Sequence, residues 1–372
     1  MKKENLQRIT AFRQELHRHP ELSLQETDTI KRVRAFLSAY TAFSIEERDG
    51  WLFAVKEGKT HSGRSIAFRA DMDALPIDET GMGLPYESVC RGVSHKCGHD
   101  GHTAALCGLA LELDAADVEK TVFLIFQGAE EIGEGAKKAA MLVREKNIQE
   151  VYAFHNLPGY PEGEVVYRRG LTQPASEGLT ICFHGRTSHA SAPEEGANPA
   201  AVIADTILHS RKMSEKPREG MVLCTVAGVK AGSGDFGISA GEGALMLTLR
   251  AENEMDMKAL ENEIREFAKQ KAEARGIRTE FQISDYFPET RNHEDGIQKV
   301  LSAAECRNIP VREMRSMWRA SEDFGYYLKE CGGAMVYIGD GGFWPPLHTK
   351  EYDFNDRILE TAVDLFCALA LA

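Results

Sequence analysis

The chain has 372 residues, 43% hydrophobic and 27% charged, the composition of a soluble globular protein long enough for two domains or for one α/β domain carrying an insertion. Its formal net charge of −13 excludes nucleic acid as an expected partner, since phosphate binding needs clustered lysine and arginine. No apolar run reaches the ~18 residues of a membrane span, and eight scattered cysteines without a Cys-x-x-Cys pair do not form a disulfide framework.

The N-terminal stretch has basic residues but no apolar segment behind them, so it does not read as a secretory signal, and a cytoplasmic location is the expectation. Leu6, Ile9, Phe12 and Leu16 instead mark an amphipathic helix. SIAFRADMD is an apolar run ending at Asp71 and Asp73, and HTAALCGLALELD (102–114) has a helical pattern. In TVFLIFQGAEE the strand pattern of Val122 to Phe126 stops at a glycine and the pair Glu130, Glu131. A second helical pattern covers 134–146, EVYAFHN is a strand ending at His155, and AMVYIGDGG is another, followed by the loop FWPPLH.

The middle of the chain reads differently. From about residue 175, EGLTICFHG alternates like a half-exposed strand; NPAAVIADTILHSRKM is helix-like; MVLCTVAGV and GALMLTLRAE are strands; a charged helix runs from about 255 to 274. That order predicts one layer of helices on an antiparallel sheet. NHEDGIQKVLSAAEC then resumes helix and leads back to VYIGDGG. The expected fold is α/β, a doubly wound and mainly parallel sheet over 1–174 and 286–372, interrupted by an inserted α+β domain over 175–285.

In a doubly wound sheet the ligand site lies beyond the carboxyl ends of the strands, which gives the polar strand ends a common address. SHKCGHDGHT (94–103) supplies Cys97 and His99 two apart beside a glycine, a spacing that lets both side chains turn to one point. With Glu131, His155 and His348 they offer a thiolate, three imidazoles and a carboxylate, a mixture that suits zinc and also admits manganese, cobalt or nickel. Five ligands exceed what one tetrahedral ion needs, so two divalent ions sharing a bridging Cys97 are expected. Of the adjacent Glu130 and Glu131, one carboxylate can neutralise metal charge while the other takes a proton from activated water. Taken singly, each of these residues is more often a solvated or satisfied group; their convergence at strand ends carries the reading. His95 reads as loop, His102 as the start of a helix, and Cys107 as core.

The segments LHRHPELSLQET, FRADMDALPI, CGHDGHTAAL, FQGAEEIGEGA, FHNLPGYPEGEV, HASAPEEGANPA, SEDFGYY and LHTKEYDFND resemble, in order, the M20 metallopeptidase clan. The resemblance is to its amidohydrolase branch of hippurate, N-acyl-amino-acid and auxin-conjugate hydrolases. It implies two metal ions on Cys97, His99, Glu131, His155 and His348, with Glu130 as general base. In the wider clan a His-x-Asp motif follows the first strand; here that histidine is Arg69, so His99 takes its role and Asp71 stands behind the ligands. The insertion resembles a lid that also dimerises. Its histidine maps onto His189, a donor to the developing oxyanion, while Asn198 and Arg250 are candidates for holding a substrate carboxylate. Thr187 and Ser188 replace the usual glycine pair, and GDFGISAGEG and TQPAS also depart from the pattern, all in the region expected to meet the substrate. The expected activity is hydrolysis of an N-acyl amino acid or related small amide by a homodimer or tetramer. A dipeptidase or aminopeptidase, or a non-catalytic metal-dependent binding protein, is the alternative.

Overall fold

The computed structural model describes residues 1–59, 63–217 and 219–372. It divides into two compact units, Met1–Thr172 with Thr290–Trp318 and Glu322–Ala372, and Gln173–Glu289 with Arg319–Ser321. The sequence reading placed an insertion at 175–285; the second unit here spans 173–289, and three residues from the returning chain, 319–321, join it. That return is a tertiary effect with no signal in local pattern.

In the first unit α1 (Lys3–Arg18) buries Ile9, Arg13, Leu16 and His17, one face at helical spacing, and α2 (Thr27–Tyr40) follows. Strands β1 (Ser44–Arg48), β2 (Trp51–Lys56) and β3 (Ser65–Asp71) precede α3 (His99–Asp114), and β4 (Thr121–Gln127), β5 (Glu150–Pro158) and β6 (Val165–Tyr167) come after it. Every residue of β3 is buried, Arg69 included, which explains why its apolar residues do not alternate with exposed ones: the strand is covered on both faces. Helix α3 starts three residues before the predicted 102, because Gly98, at φ +100, turns the chain directly into His99. The predicted helix 134–146 is broken into Gly135–Ala139 and Met141–Glu145, where Val143 N bonds back only three residues to Ala140 O.

The second unit contains β7 (Ala175–His184), α4 (Ala200–Ser214), β8 (Val222–Ala231), β9 (Glu242–Ala251), α5 (Glu254–Glu273) and β10 (Arg278–Phe287). Its sheet runs β8-β9-β7-β10, antiparallel throughout. Leu179, Ile181 and Phe183 on β7 and Leu245, Leu247 and Leu249 on β9 alternate inward against Leu260, Ile264 and Ala268 of α5, as the period-two pattern requires.

Back in the first unit the chain adds α6 (Glu294–Cys306), β11 (Val311–Glu313), β12 (Gly332–Gly341) and α7 (Leu359–Leu371). The sheet order is β1-β2-β4-β3-β5-β12-β6-β11. Pairs β4/β3, β3/β5 and β5/β12 are parallel, so the carboxyl ends of these four central strands share one edge. Core residues of α3, α6 and α7 cover one face, and Ala136, Ala139, Leu142, Phe324 and Tyr327 the other, which makes the sheet doubly wound. Among the described residues no helix is long and apolar enough to cross a membrane.

Candidate metal centre

Four segments meet beyond that edge. A Cβ on Gly98 would lie 2.3 Å from Asn156 Oδ1 and 3.0 Å from Tyr352 Oη, so only glycine allows the turn that presents Cys97 and His99 together. Cys97 Sγ lies 3.4 Å from His155 Nε2 and 3.3 Å from His348 Nε2. His348, at φ +60, is tied to the same loop by its backbone N–H, which donates to Lys96 O at 2.7 Å. Glu131 Oε1 lies 3.6 Å from His348 Nε2 and 3.8 Å from His99 Nε2, and Glu130 Oε2 is also 3.8 Å from His99 Nε2. Cys97, His99, Glu131, His155 and His348, which the sequence reading grouped, thus come together, with Glu130 at their side.

The atoms behind these donors fix their direction. His99 Nδ1 donates to Asp73, 3.0 Å from its carbonyl oxygen and 3.2 Å from Oδ1, which turns Nε2 towards Glu131. His155 Nδ1 donates to the Asn156 carbonyl at 2.7 Å, leaving its Nε2 for the cluster. Asp73 Oδ2 accepts from Glu131 N at 3.0 Å, so one buried carboxylate orients two members of the set. Sequence reasoning gave that supporting role to Asp71. Asp71 instead accepts from His102 Nδ1 at 2.6 Å and from Arg69 at 2.6 Å, and stays 3.8 Å from His99 Nε2. His102 is more than a helix start, since its Nε2 also lies 2.7 Å from Asn156 Oδ1. Arg69, fully enclosed, further donates to Asp323 at 2.7 Å.

Buried acid dominates the electrostatics. Asp71, Asp73, Glu130, Glu322 and Asp323 are all buried, with Glu131 beside them. Burial, then the Glu322 and Asp323 carboxylates, holds the Glu130 carboxyl well above its ordinary range. Burial pushes Glu131 up to about 7 against the pull of His99. For His99, burial is outweighed by Asp71 and Asp73, which raise it to about 10. Burial and His102 push His155 well down, and burial pushes the Cys97 thiol up. His99 Nε2 and Glu131 Oε1 are buried with no hydrogen-bond partner among the described residues. Leaving such an atom unpaired costs about 1–3 kcal/mol. Without a metal the excess carboxylates hold a proton on His99; a divalent cation in its place would meet the lone pairs of His99 Nε2 and Glu131 Oε1, which face one another.

Three further candidates lie in the second unit. His189 is exposed and its Nδ1 is 2.7 Å from Ser191 Oγ. Asn198 Nδ2 donates to Ser239 Oγ at 3.2 Å, and Ser239 pairs with Ser188 in the short ribbon that carries His189. Arg250 donates to Arg319 O at 2.8 Å. The two serines therefore bring Asn198 and His189 to one ribbon.

Residues 67–372 match the profile of peptidase family M20/M25/M40. The chain belongs to that family. It is accordingly a hydrolase of amide bonds. Among the relatives, an N-acetylcysteine deacetylase of Bacillus subtilis is 28% identical over 98% of this chain and 96% of its own. A hippurate hydrolase of Campylobacter jejuni is 30% identical over 97% of this chain and 95% of its own. A solved Bacillus subtilis structure, described as a dinuclear metal-binding peptidase from the M20 family, is similar with a TM-score of 0.82 at 26% identity, over 100% of this chain and 98% of that one. The family match begins at residue 67 and so leaves α1, α2, β1 and β2 outside it, whereas the two relatives align with 98% and 97% of this chain.

Proposed function

We propose that the chain removes the acyl group from N-acyl amino acids or related small amides with two divalent metal ions, zinc or manganese in first place and cobalt or nickel as substitutes. Cys97, His99, Glu131, His155 and His348 would hold them, with Cys97, in reach of both His155 and His348, as the shared ligand. The observation that carries this is the pair of buried ligand atoms, His99 Nε2 and Glu131 Oε1, 3.8 Å apart and without a hydrogen-bond partner among the described residues. The ions would supply a lowered pKa for water and a polarised amide carbonyl. Glu130 is the proton carrier: its carboxylate takes the proton from water and passes it to the departing amine nitrogen. His189 donates a hydrogen bond to the carbonyl oxygen as it gains charge, and Asn198 and Arg250 hold the carboxylate of the amino-acid half. The names of the two curated relatives support N-acyl amino acids as the substrate class. The same reading has a homodimer or tetramer formed through the second unit, working in the cytoplasm, with no nucleic-acid or membrane partner.

The test is metal content by elemental analysis together with release of free amino acid from a panel of N-acyl amino acids and dipeptides, for wild type and Glu130→Ala. Close to two ions per chain, turnover of an N-acyl substrate, and loss of turnover with metal retained in the variant are expected. Preference for free-amine dipeptides would make the chain a dipeptidase, and metal without any turnover would make it a binding protein.

A further inference from the structure

We propose that the N-terminal segment Glu21–Glu26, to which the hydrolysis above gives no part, positions Glu130 through the turn that holds it. The inference rests on the proposed function for its catalytic consequence, and on the backbone for its mechanism.

The turn bonds its own carbonyls: Ala129 O accepts from Glu134 N and Gly135 N, and Glu130 O from Gly133 N. Its amides are satisfied from outside. Glu26 Oε1 accepts from Ala129 N at 2.6 Å, and Asp73 Oδ2 accepts from Glu131 N at 3.0 Å while also accepting from Ser23 Oγ at 2.7 Å. Glu130 is therefore clamped on both sides by carboxylates that belong to, or are held by, the N-terminal segment. The clamp has something to hold. Ala129 sits at φ +53, a left-handed conformation that a residue with a Cβ keeps only when its surroundings impose it. Gly128 makes the approach possible, since a Cβ there would lie 2.7 Å from Glu26 Oε1.

The segment is itself fixed. Glu21 Oε2 accepts from Thr29 N at 2.7 Å in the first turn of α2, and Glu21 O accepts from Ala74 N at 2.8 Å. Glu26 is buried, and burial beside Asp73 raises its carboxyl to about 7. An acceptor oxygen is what the clamp needs, and a glutamine supplies one as well as a glutamate does. Glu26 is thus a positioning residue, acting through Ala129 on Glu130.

The experiment compares Glu26→Ala, Glu26→Gln and Ser23→Ala with wild type, as purified metal-loaded protein, by kcat, KM, metal content and amide exchange in the 128–131 turn. In Glu26→Ala the expected result is kcat lower by about 10- to 100-fold from a displaced base. KM should stay within about twofold, with both metals kept and exchange in the turn faster. Glu26→Gln should restore kcat and slow exchange, and Ser23→Ala should move both in the direction of Glu26→Ala by less. Wild-type kcat and exchange in Glu26→Ala, equal damage in Glu26→Gln, or loss of metal in step with loss of activity would each overturn the assignment. Should Glu26→Ala not fold, unchanged exchange and kcat in Ser23→Ala would overturn it as well. A wild type that hydrolyses nothing on the panel would defeat the proposed function, and exchange in the turn would still decide the clamp.

Discussion

Asp73→Asn leaves shape unchanged but replaces one oxygen by an amide nitrogen and removes the negative charge, so it tests both hydrogen-bond direction and the charge behind His99. In the wild type Oδ2 accepts from both Glu131 N, at 3.0 Å, and Ser23 Oγ, at 2.7 Å, while Oδ1 faces His99 Nδ1 at 3.2 Å. The asparagine oxygen is best placed against the two donors, which puts its NH2 against His99 Nδ1. Either two donors then oppose each other, or the imidazole proton moves to Nε2 and occupies the lone pair that points at Glu131. The Asp73 carbonyl, 3.0 Å from Nδ1, still accepts, so the ring keeps part of its orientation and the loss is bounded. The expected cost is about 10- to 100-fold in affinity for the ion that His99 contacts, or about 1.4–2.7 kcal/mol. Competition between apo-protein and a chromophoric chelator measures it, with the second ion as internal control. Equal affinity in both proteins would refute the reasoning, since His99 would then be set by the peptide carbonyl alone. An equal loss at both ions would refute it too, by pointing to a general loosening.

Other perturbations follow from the same geometry. Gly98→Ala forces a side chain onto φ +100 and onto Asn156 Oδ1; it should destabilise the chain by about 2–4 kcal/mol in urea unfolding and lower metal occupancy, and wild-type behaviour in both would contradict the close approach. Burial pulls buried His17 down, but hydrogen bonds to Asp100 and Glu79 more than offset it and hold it at about 9 against an ordinary 6.5. Its contribution is therefore complete below pH 6.5 and lost as pH rises through 9, and His17→Gln should flatten the fall in Tm over that window; an unchanged slope would exclude His17 as its source. Glu177 is buried in the second unit beside Glu261, and burial and then the Glu261 charge raise it to about 7. Binding its proton more tightly when folded, it favours the fold below pH 4.5 and ceases to as pH rises through 7. Glu177→Gln should accordingly raise Tm at pH 8 more than at pH 5, and the reverse order would show the carboxylate to be stabilised.

The sequence could group the candidate ligands because they sit on local signals: Cys97 and His99 share a loop, and Glu131 and His155 follow or close apolar runs that read as covered strands. The change from unbroken runs to alternation similarly marks the second unit. What lay beyond reach was pairing across the chain. Arg69 meets Asp323, 254 positions away, and no local pattern announces that bond. Asp71 and Asp73 differ by one pleat, yet β3 ends at Asp71, so parity no longer tells which of them faces His99. His102 has the spacing of a first-turn helix residue, and only the arrival of Asn156 on β5 and Asp71 on β3 reveals both of its ring nitrogens as engaged. Ser23 and Glu26 stood in a motif without an assigned purpose because their partners, Asp73 and Ala129, are 50 and 103 positions away.

The position of β12 has a consequence for biosynthesis. This strand, Gly332–Gly341, lies between β5 and β6, and every residue up to Tyr167 of β6 has been translated long before it appears. Until β12 has been made, β5 has no partner for its second edge. Such an edge is a template for wrong pairing. A chain cut short ahead of residue 332 would lack the middle of the sheet and not its margin, and His348 follows β12 in the chain. Assembly of the candidate metal centre in this way waits on synthesis of both β12 and the loop that carries His348.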